Sequence, residues 1–426
     1  MTRPAAGRST TILLAFGFLV GVIVRYRMLF YIGTDDMNAY HDWGQQALAS
    51  GLPRTYHGIY FPLQYQVFEF CTWIEVRSGW DFIPIFKLSN FVFDAGLFCL
   101  LSLWLRRQGS HPAYALLYWL HPWFLSVFSL GYIDFQFTFF ALLTVYLLGR
   151  DTAGHYLLAG IPLALAFLMK PQAQILLIAS LMYGVVHYAR TRNARPLGMM
   201  VFPILVFLGY EAYFTISRFS ALGYGAAGVL PWSYLNVTNV MPVLTAQMPN
   251  VWYPIAYVMK RPGDAINVVS DQIQVLPYLS AKYLAAGGVL ALIGLHVSRM
   301  ERTGEPVISD RFARIFGFAS VAVPSIMTSA HENHMFLGSV FLILFAARLP
   351  LSFMVASQIL LIVQSLNIYG LYGQHPPRLA RTLRELYAVE QTPLIYSFIS
   401  IACVVVILKS LWSCRATVGS APLTMS

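Results

Sequence analysis

Apolar segments about as long as a bilayer is thick recur along almost the whole 426-residue chain. A helix needs roughly 20 mostly apolar residues to cross the hydrocarbon core. Only 11% of the residues are charged, whereas soluble domains carry about a quarter. The sequence therefore predicts an all-α integral membrane protein, a polytopic helix bundle forming one transmembrane domain over residues 1–426. About twelve spans are predicted, at 11–33, 84–105, 112–130, 135–149, 155–169, 172–189, 197–215, 277–297, 312–329, 335–348, 351–370 and 394–412.

The first apolar segment, residues 11–33, is predicted to be a retained span. It is longer than the core of a signal peptide, has no small-residue cleavage site, and contains Arg25 and Arg27. Four cysteines show neither paired nor metal-type spacing, so neither a disulfide framework nor a zinc site is predicted. They are Cys71, Cys99, Cys403 and Cys414.

The net charge of +10 is interpreted as a membrane feature, with no nucleic-acid partner, because most arginines flank apolar segments. By the positive-inside rule, these arginines place both termini in the cytoplasm. Residues 34–83, 216–276 and 371–393 are then outer loops that form an extracytoplasmic cap. Half-apolar stretches at 42–52 and 251–259 are predicted to be interfacial helices in this cap.

Two adjacent acids, Asp35 and Asp36, follow the first span directly. A carboxylate near a span end lies where the dielectric constant falls, so its pKa can rise toward values that suit a general base. The alternative is that Asp35 caps the helix that follows it. We treat the pair as a stronger candidate than either residue alone.

A second group of polar residues ends other predicted spans on the same side as the first loop. An ammonium, imidazoles and a row of arginines gathered there are suited to a phosphate. The alternatives are that Lys170 extends to the interface and that the arginines meet lipid headgroups. Asp94, inside the second span, is either functional or hydrogen-bonded to a neighbouring helix. The group comprises Asp134, Gln136, Lys170, Gln172, His331, Glu332, His334, Arg378 and Arg381.

The order of these motifs resembles the GT-C superfamily of membrane glycosyltransferases, and within it the dolichyl-phosphate-glucose-dependent glucosyltransferases of lipid-linked oligosaccharide synthesis. Asp36 stands seven residues before Trp43, as the first-loop acid of that group does, and a Tyr-Pro-Pro-Leu-like segment follows at 60–63. The family's Asp-Phe-Gln turn is similar to 134–136, and its Ala-Asn-x-Trp segment to 249–252. Its His-Glu-Lys resembles 331–333, where Asn333 replaces the lysine.

The resemblance implies an inverting transfer of a hexose, with Asp36 as general base and Asp35 orienting the acceptor or serving as the base instead. Lys170, His331 and Arg378 or Arg381 are expected at the phosphate. A lipid phosphate has a second pKa of about 6, so it leaves as a stable anion and one carboxylate suffices. Neither cofactor nor metal is expected. The other expected substrate-binding residues are Tyr40, Tyr60, Gln64, Asp134, Gln136, Gln172, Asn250, Trp252, Glu332 and His334.

The expected partners are membrane lipid, a polyprenyl-phosphate sugar as donor, and a glycan or lipid-linked acceptor. The location is expected to be a bacterial inner membrane with a periplasmic site, or the endoplasmic reticulum in a eukaryote. Two other functions are open. In a transporter or flippase for a lipid-linked sugar, the same charged residues would line the path of the substrate through the protein. In an envelope polysaccharide polymerase or ligase, the active site would be built mainly from Arg and His.

Overall fold

A computed structural model describes residues 7–217, 228–262, 264–303, 307–372 and 391–413. Within these ranges the helices are accompanied by one antiparallel hairpin, β1 (Gln274–Leu276) and β2 (Leu279–Ser280), and are joined by turns and loops. The α-helices of this part of the chain are α1 (Arg8–Met28), α2 (Asp36–Ser50), α3 (Leu52–Thr55), α4 (Pro62–Ser78), α5 (Phe82–Arg107), α6 (Leu116–Trp119), α7 (Pro122–Leu130), α8 (Asp134–Leu147), α9 (Ala153–Met169), α10 (Gln174–Thr191), α11 (Val201–Ile216), α12 (Val229–Val240), α13 (Trp252–Met259), α14 (Ala281–Thr303), α15 (Ile308–Ile326), α16 (Phe336–Phe345), α17 (Leu351–Tyr372) and α18 (Gln391–Ser413).

Seven helical segments of the described chain are long and apolar enough to cross a membrane, so the protein is an all-α membrane protein. A further pair, α6 and α7, is bent by 47° at a short break and counts as an eighth span if taken as one unit. Each of the other predicted spans also contains a helix, but α8, α9 and α16 are shorter. The seven segments are Ser9–Met28, Phe82–Arg107, Pro171–Thr191, Arg195–Ile216, Ala281–Thr303, Leu351–Tyr372 and Gln391–Ser413.

The first loop is more helical than its sequence pattern indicates. Helix α1 ends at Met28 rather than at residue 33, and α2 begins at Asp36 rather than at residue 42. Because α2 starts earlier than predicted, Asp36 is the first residue of a helix and does not lie in a loop. The predicted helix at 251–259 is present as α13.

A buried ion pair joins α1 to α5 inside the membrane domain. The Arg25 guanidinium contacts the Asp94 carboxylate, and both side chains are fully buried. Tyr118 donates a second hydrogen bond to Asp94, with 2.5 Å between oxygens, and the guanidinium lies 3.6 Å from the ring centroid of Trp119. Of the two interpretations of Asp94, the structure shows the bonded one: the Asp94 carboxylate is paired with the Arg25 guanidinium inside the bundle.

Replacing Arg25 with Leu is expected to lower the free energy of unfolding by about 3–5 kcal/mol, because it leaves the Asp94 carboxylate buried without its cation. Thermal unfolding of purified protein in detergent measures the effect. Arg27→Leu is the matched control, because Arg27 is exposed on the same helix. Equal melting temperatures for the two variants would contradict the assignment.

The two ends of the bundle differ in their polar groups. At one end, a side-chain contact joins His187 to Glu301 at 3.0 Å, and an ion pair joins Asp310 to Arg348 at 2.8 Å. Helix α15 begins at that end and runs to the other, where it stops at Ile326 just before the histidine-containing segment. This opposite end, where α8 and α10 also begin, carries the candidate site.

Candidate functional site

Two glycines bring the start of the first loop against the turn between α7 and α8. Gly33 has a φ of +90°, and a Cβ there would stand 2.5 Å from the Leu130 carbonyl oxygen. Gly131 has a φ of +80°, and a Cβ there would stand 2.3 Å from the sulfur of Met37. The Thr34 backbone N–H donates to the Leu130 carbonyl at 3.2 Å. Because only glycine permits this approach without strain, the residues that follow each glycine, including Asp36 and Asp134, are held at one place.

Asp134, the first residue of α8, is bonded through both carboxylate oxygens. The Lys170 ammonium donates to Oδ1 at 2.9 Å, and the Asn333 amide donates to Oδ2 at 2.9 Å. All three side chains are buried, with 1%, 3% and 5% of the respective residue surface exposed. The alternative that Lys170 extends to the membrane interface is therefore not what the structure shows. The Lys170 charge is held inside the protein by a carboxylate from another helix.

The segment between α15 and α16 brings two imidazoles to the same place. The ring centroids of His331 and His334 are 5.1 Å apart, and the His331 backbone N–H donates to Nδ1 of His334 at 3.2 Å. Burial, and then the nearby positive charges of His331 and Lys170, hold the pKa of His334 well below its usual range. His334 is therefore neutral, and its Nε2 lies 2.6 Å from the side-chain amide nitrogen of Gln172.

Glu332 lies between the two histidines in sequence but faces a pair of tyrosines. Its Oε1 accepts hydrogen bonds from Tyr132 at 2.5 Å and from Tyr372 at 2.6 Å. The residue is 3% exposed. Glu332 is thus a fixed, buried negative charge whose orientation is set by phenols from two other parts of the bundle.

Asp36 lies near this group of residues, because its carboxyl interacts electrostatically with Glu332, His331 and Lys170. We call the region that these residues form around Asp36 the recess. The Asp36 side chain reaches solvent, yet the surrounding protein limits its hydration. This desolvation raises the pKa of the Asp36 carboxyl, as does the negative charge of Glu332, while the charges of His331 and Lys170 oppose the rise. Asp36 is consequently the reachable acid of the site, with a proton affinity that suits a base.

Asp35 is exposed and precedes α2 without capping it. No hydrogen bond joins its side chain to the first turn of the helix, so the capping alternative is not what the structure shows. The two acids therefore differ in setting: Asp35 faces solvent, and Asp36 faces the recess.

Tyr40 and Tyr60 line the side of the recess formed by the first loop. Their hydroxyl oxygens are 3.0 Å apart, and the burial of Tyr60 together with the charge of Asp36 raises its pKa. Gln64, also predicted to bind substrate, is fully buried, and neither polar atom of its amide has a hydrogen-bond partner. Such a group is costly unless something satisfies it, which makes Gln64 a candidate for a ligand contact.

Three residues predicted to bind substrate donate hydrogen bonds within the protein, although the Gln136 Oε1 has no hydrogen-bond partner. The Asn250 amide donates to the carbonyls of Pro324 and Met327, and the Trp252 indole donates to Ile326 at 2.5 Å. They cap the end of α15, whose last carbonyls lack partners within the helix. The Gln136 amide donates to Asn90 at 2.8 Å. Direct substrate contact by Asn250, Trp252 and Gln136 stays a prediction; the structure shows that they position the segments around the site.

One buried cation that the sequence reasoning missed holds the segments that precede Gly33 and Gly131. Lys87 is fully buried, and its ammonium donates to the carbonyls of Met28 at 3.1 Å, Tyr31 at 2.5 Å and Ser129 at 2.6 Å. It thereby joins the C-terminal ends of α1 and α7, where the helix dipoles favour a cation. The signal was available, because an ionisable residue inside a predicted span is a functional candidate by default.

Arg378 and Arg381, predicted at the phosphate, lie outside the residues that the structure describes. Among the described residues, no group of three or more His, Cys, Asp or Glu side chains is arranged to hold a metal ion. The expected metal independence stays a prediction.

Sequence comparisons match neither a protein-family model nor a curated protein to this chain. The functional conclusion therefore depends on the chemistry of the recess around Asp36.

Proposed function

We propose that the chain is an inverting glycosyltransferase of the GT-C type. It transfers a hexose from a polyprenyl-phosphate-linked donor to a lipid-linked glycan or another extracytoplasmic acceptor. The finer topology, with about twelve spans, both termini in the cytoplasm and the site facing the periplasm or the lumen, belongs to the same proposal. The observation that supports it is the meeting of one reachable acid, Asp36, with the cation Lys170 and two imidazoles at one end of a membrane bundle.

The proposed reaction needs one base and charge stabilisation at the leaving phosphate. An acceptor hydroxyl oxygen attacks the anomeric carbon from the face opposite the phosphate, and Asp36 takes the hydroxyl proton. The bond from the anomeric carbon to the phosphate oxygen breaks, and its electron pair stays on the phosphate. Lys170, His331 and Arg378 or Arg381 stabilise that charge. Because the leaving group is a stable anion, no second acid is required.

The structure supports different tasks for the remaining acids of the site. Asp134 is occupied by Lys170 and Asn333, and Glu332 by two tyrosines, so neither is available to take a proton from an acceptor. Asp134 positions the Lys170 ammonium. Glu332 keeps Asp36 basic through its negative charge.

The test is a donor assay on the purified chain in lipid nanodiscs. The protein is incubated in separate reactions with a polyprenyl-phosphate hexose and with a polyprenyl-diphosphate glycan, and the released lipid is identified in each. Release of polyprenyl phosphate with transfer of the hexose supports the proposal. Release of diphosphate from a diphosphate-linked donor would favour a polymerase or ligase, and vesicle translocation without bond cleavage would favour a flippase.

The pH dependence of transfer gives a separate prediction. The base must be ionised, so the rate is expected to fall as the pH drops through the pKa of Asp36, which lies above the usual 3.8 of an aspartate. Glu332→Gln removes a like charge that raises this pKa, so the acid limb of the profile should move to lower pH. Asp81→Asn, on an exposed side chain, is the control. An acid limb unmoved by Glu332→Gln would contradict the electrostatic role.

A further inference from the structure

A surface of aromatic rings and side-chain amides adjoins the recess on the side of the first loop. Trp43, Tyr60 and Trp232 are half-buried, and His57 is exposed. The ring centroid of Trp43 lies 5.6 Å from that of His57 and 6.1 Å from that of Tyr60. Two amides complete this aromatic surface: the Gln46 Oε1 accepts from His57 Nε2 at 3.0 Å, and the Asn236 amide donates to the His57 carbonyl at 3.0 Å.

The aromatic surface is built rigidly. Gly58, at φ +68°, lets Trp232 pack so closely that a Cβ there would stand 2.0 Å from the indole. The Tyr56 hydroxyl donates to the Tyr60 carbonyl at 2.8 Å, and the Ser233 hydroxyl contacts the Tyr56 hydroxyl at 2.8 Å. The rings are therefore held in place before any ligand arrives, which lowers the entropic cost of binding.

The aromatic surface and Asp36 are connected through helix α2. Seven residues separate Asp36 from Trp43 on α2, which is two helical turns, so both lie on one face about 10 Å apart along the axis. Tyr40, one turn after Asp36, links the two through its contact with the Tyr60 hydroxyl at 3.0 Å. A ligand lying on the aromatic rings thus has one end at the base.

We propose that this aromatic surface binds the pyranose rings of the glycan acceptor and directs its terminal hydroxyl to Asp36. The inference rests on the proposed transfer to a glycan and specifies which part of the acceptor the protein recognises. The C–H bonds of a pyranose carry partial positive charge, which fits the negative face of an aromatic ring. Ring hydroxyls at its edge match amides and an imidazole, which can both donate and accept.

A second exposed aromatic face, on and just after α4, has the composition expected of a bilayer contact. Phe70, Trp73, Val76 and Trp80 lie on or just after α4, with 45–70% of their surface exposed. Arg77 lies over the Trp73 ring at 5.8 Å, as expected for an aromatic anchor among headgroups. The surface around Trp43 differs, since Gln46, His57 and Asn236 alternate with its rings. That mixture favours a saccharide over a lipid headgroup layer.

The experiment is saturation-transfer NMR on the full chain in nanodiscs, without donor, using maltotriose and mannotriose as probes. Saturation transfer to pyranose C–H protons is expected for wild type. Trp43→Ala is expected to reduce it by about fivefold, with retention in Trp43→Phe, which keeps a ring face. His57→Ala, at an exposed position, should also weaken binding and tests the surface without disturbing the core. Trp80→Ala is the matched control and should bind like wild type.

Signals that survive in both Trp43→Ala and His57→Ala, or that are absent from wild type with both probes, would overturn the inference. A loss in Trp80→Ala equal to that in Trp43→Ala would assign the effect to the membrane contact and also overturn it. Because no donor is present, the result is independent of the polyprenyl-phosphate assay. Donor cleavage without saccharide binding removes this inference alone, and saccharide binding without donor cleavage removes the proposed transfer.

Discussion

Replacing Asp36 with Asn is expected to reduce hexose transfer by about 10²–10⁴-fold, the usual contribution of a positioned general base. The amide keeps the size and hydrogen-bonding shape of the carboxyl, so donor binding should stay close to that of wild type. Transfer is measured by the release of polyprenyl phosphate, and donor binding by equilibrium titration of the same preparation. Full activity in this variant would refute the assignment of the base.

The melting temperature of Asp36→Asn shows whether the loss of transfer comes from the missing base or from misfolding. The folded-state pKa of Asp36 is raised, so the ionised carboxylate disfavours the fold, and this cost appears as the pH rises above the usual pKa of 3.8. At neutral pH, Asp36→Asn removes that cost, and its melting temperature should equal or exceed that of wild type. Asp35→Asn is the matched control: the neighbouring acid faces solvent, and transfer should fall much less. Equal losses in the two variants would mean that the acids act as a unit.

Replacing Lys170 with Met is expected to produce the second large effect, on both activity and stability. Transfer should fall by about 10²–10³-fold if the ammonium stabilises the leaving phosphate. The free energy of unfolding should fall by about 3–5 kcal/mol, because Asp134 would remain buried with only the Asn333 amide as partner. Thermal unfolding and the donor assay measure the two effects on one sample.

A double variant distinguishes the two roles of Lys170. Combining Lys170→Met with Asp134→Asn removes both charges, so most of the stability should return. Transfer should stay low, because the cation at the phosphate is still missing. Recovery of transfer along with stability would show that Lys170 is only structural. Lys409→Met, an exposed lysine on α18, controls for the loss of a positive charge from the chain as a whole.

Much of the fold was predictable, because spans are encoded locally. A window of apolar residues has to be helical in lipid, where each backbone group needs a partner within the segment. Helices are therefore found at every predicted span, whereas their ends, such as the stop of α1 at Met28, depend on contacts elsewhere in the chain. The gathering of Asp36, Lys170 and His331 at one end also followed from topology, since alternate connections of a bundle lie on the same side.

The hydrogen-bond partners of the side chains in the site could not be predicted from the sequence pattern around each residue. Asp134 joins Lys170 from 36 residues away and Asn333 from 199 residues away. Nothing in either segment shows that the lysine is buried or that both oxygens of the acid are occupied. The same applies to Asn250 and Trp252, whose resemblance to a family motif indicated substrate contact. Which acid is free to react is a property of the packed bundle.

The Lys87 ammonium has a consequence for how the chain is made. Its partners at Met28 and Tyr31 precede it, but the third, the Ser129 carbonyl, is synthesised 42 residues later. Until α7 follows α1 and α5 into the membrane, the Lys87 ammonium can therefore have only two of its three carbonyl partners, those of Met28 and Tyr31. The arrival of α7 supplies the third carbonyl oxygen and joins α7 to the end of α1 through Lys87. Truncated chains that end before residue 129 should consequently be degraded more readily than chains that include all of α7.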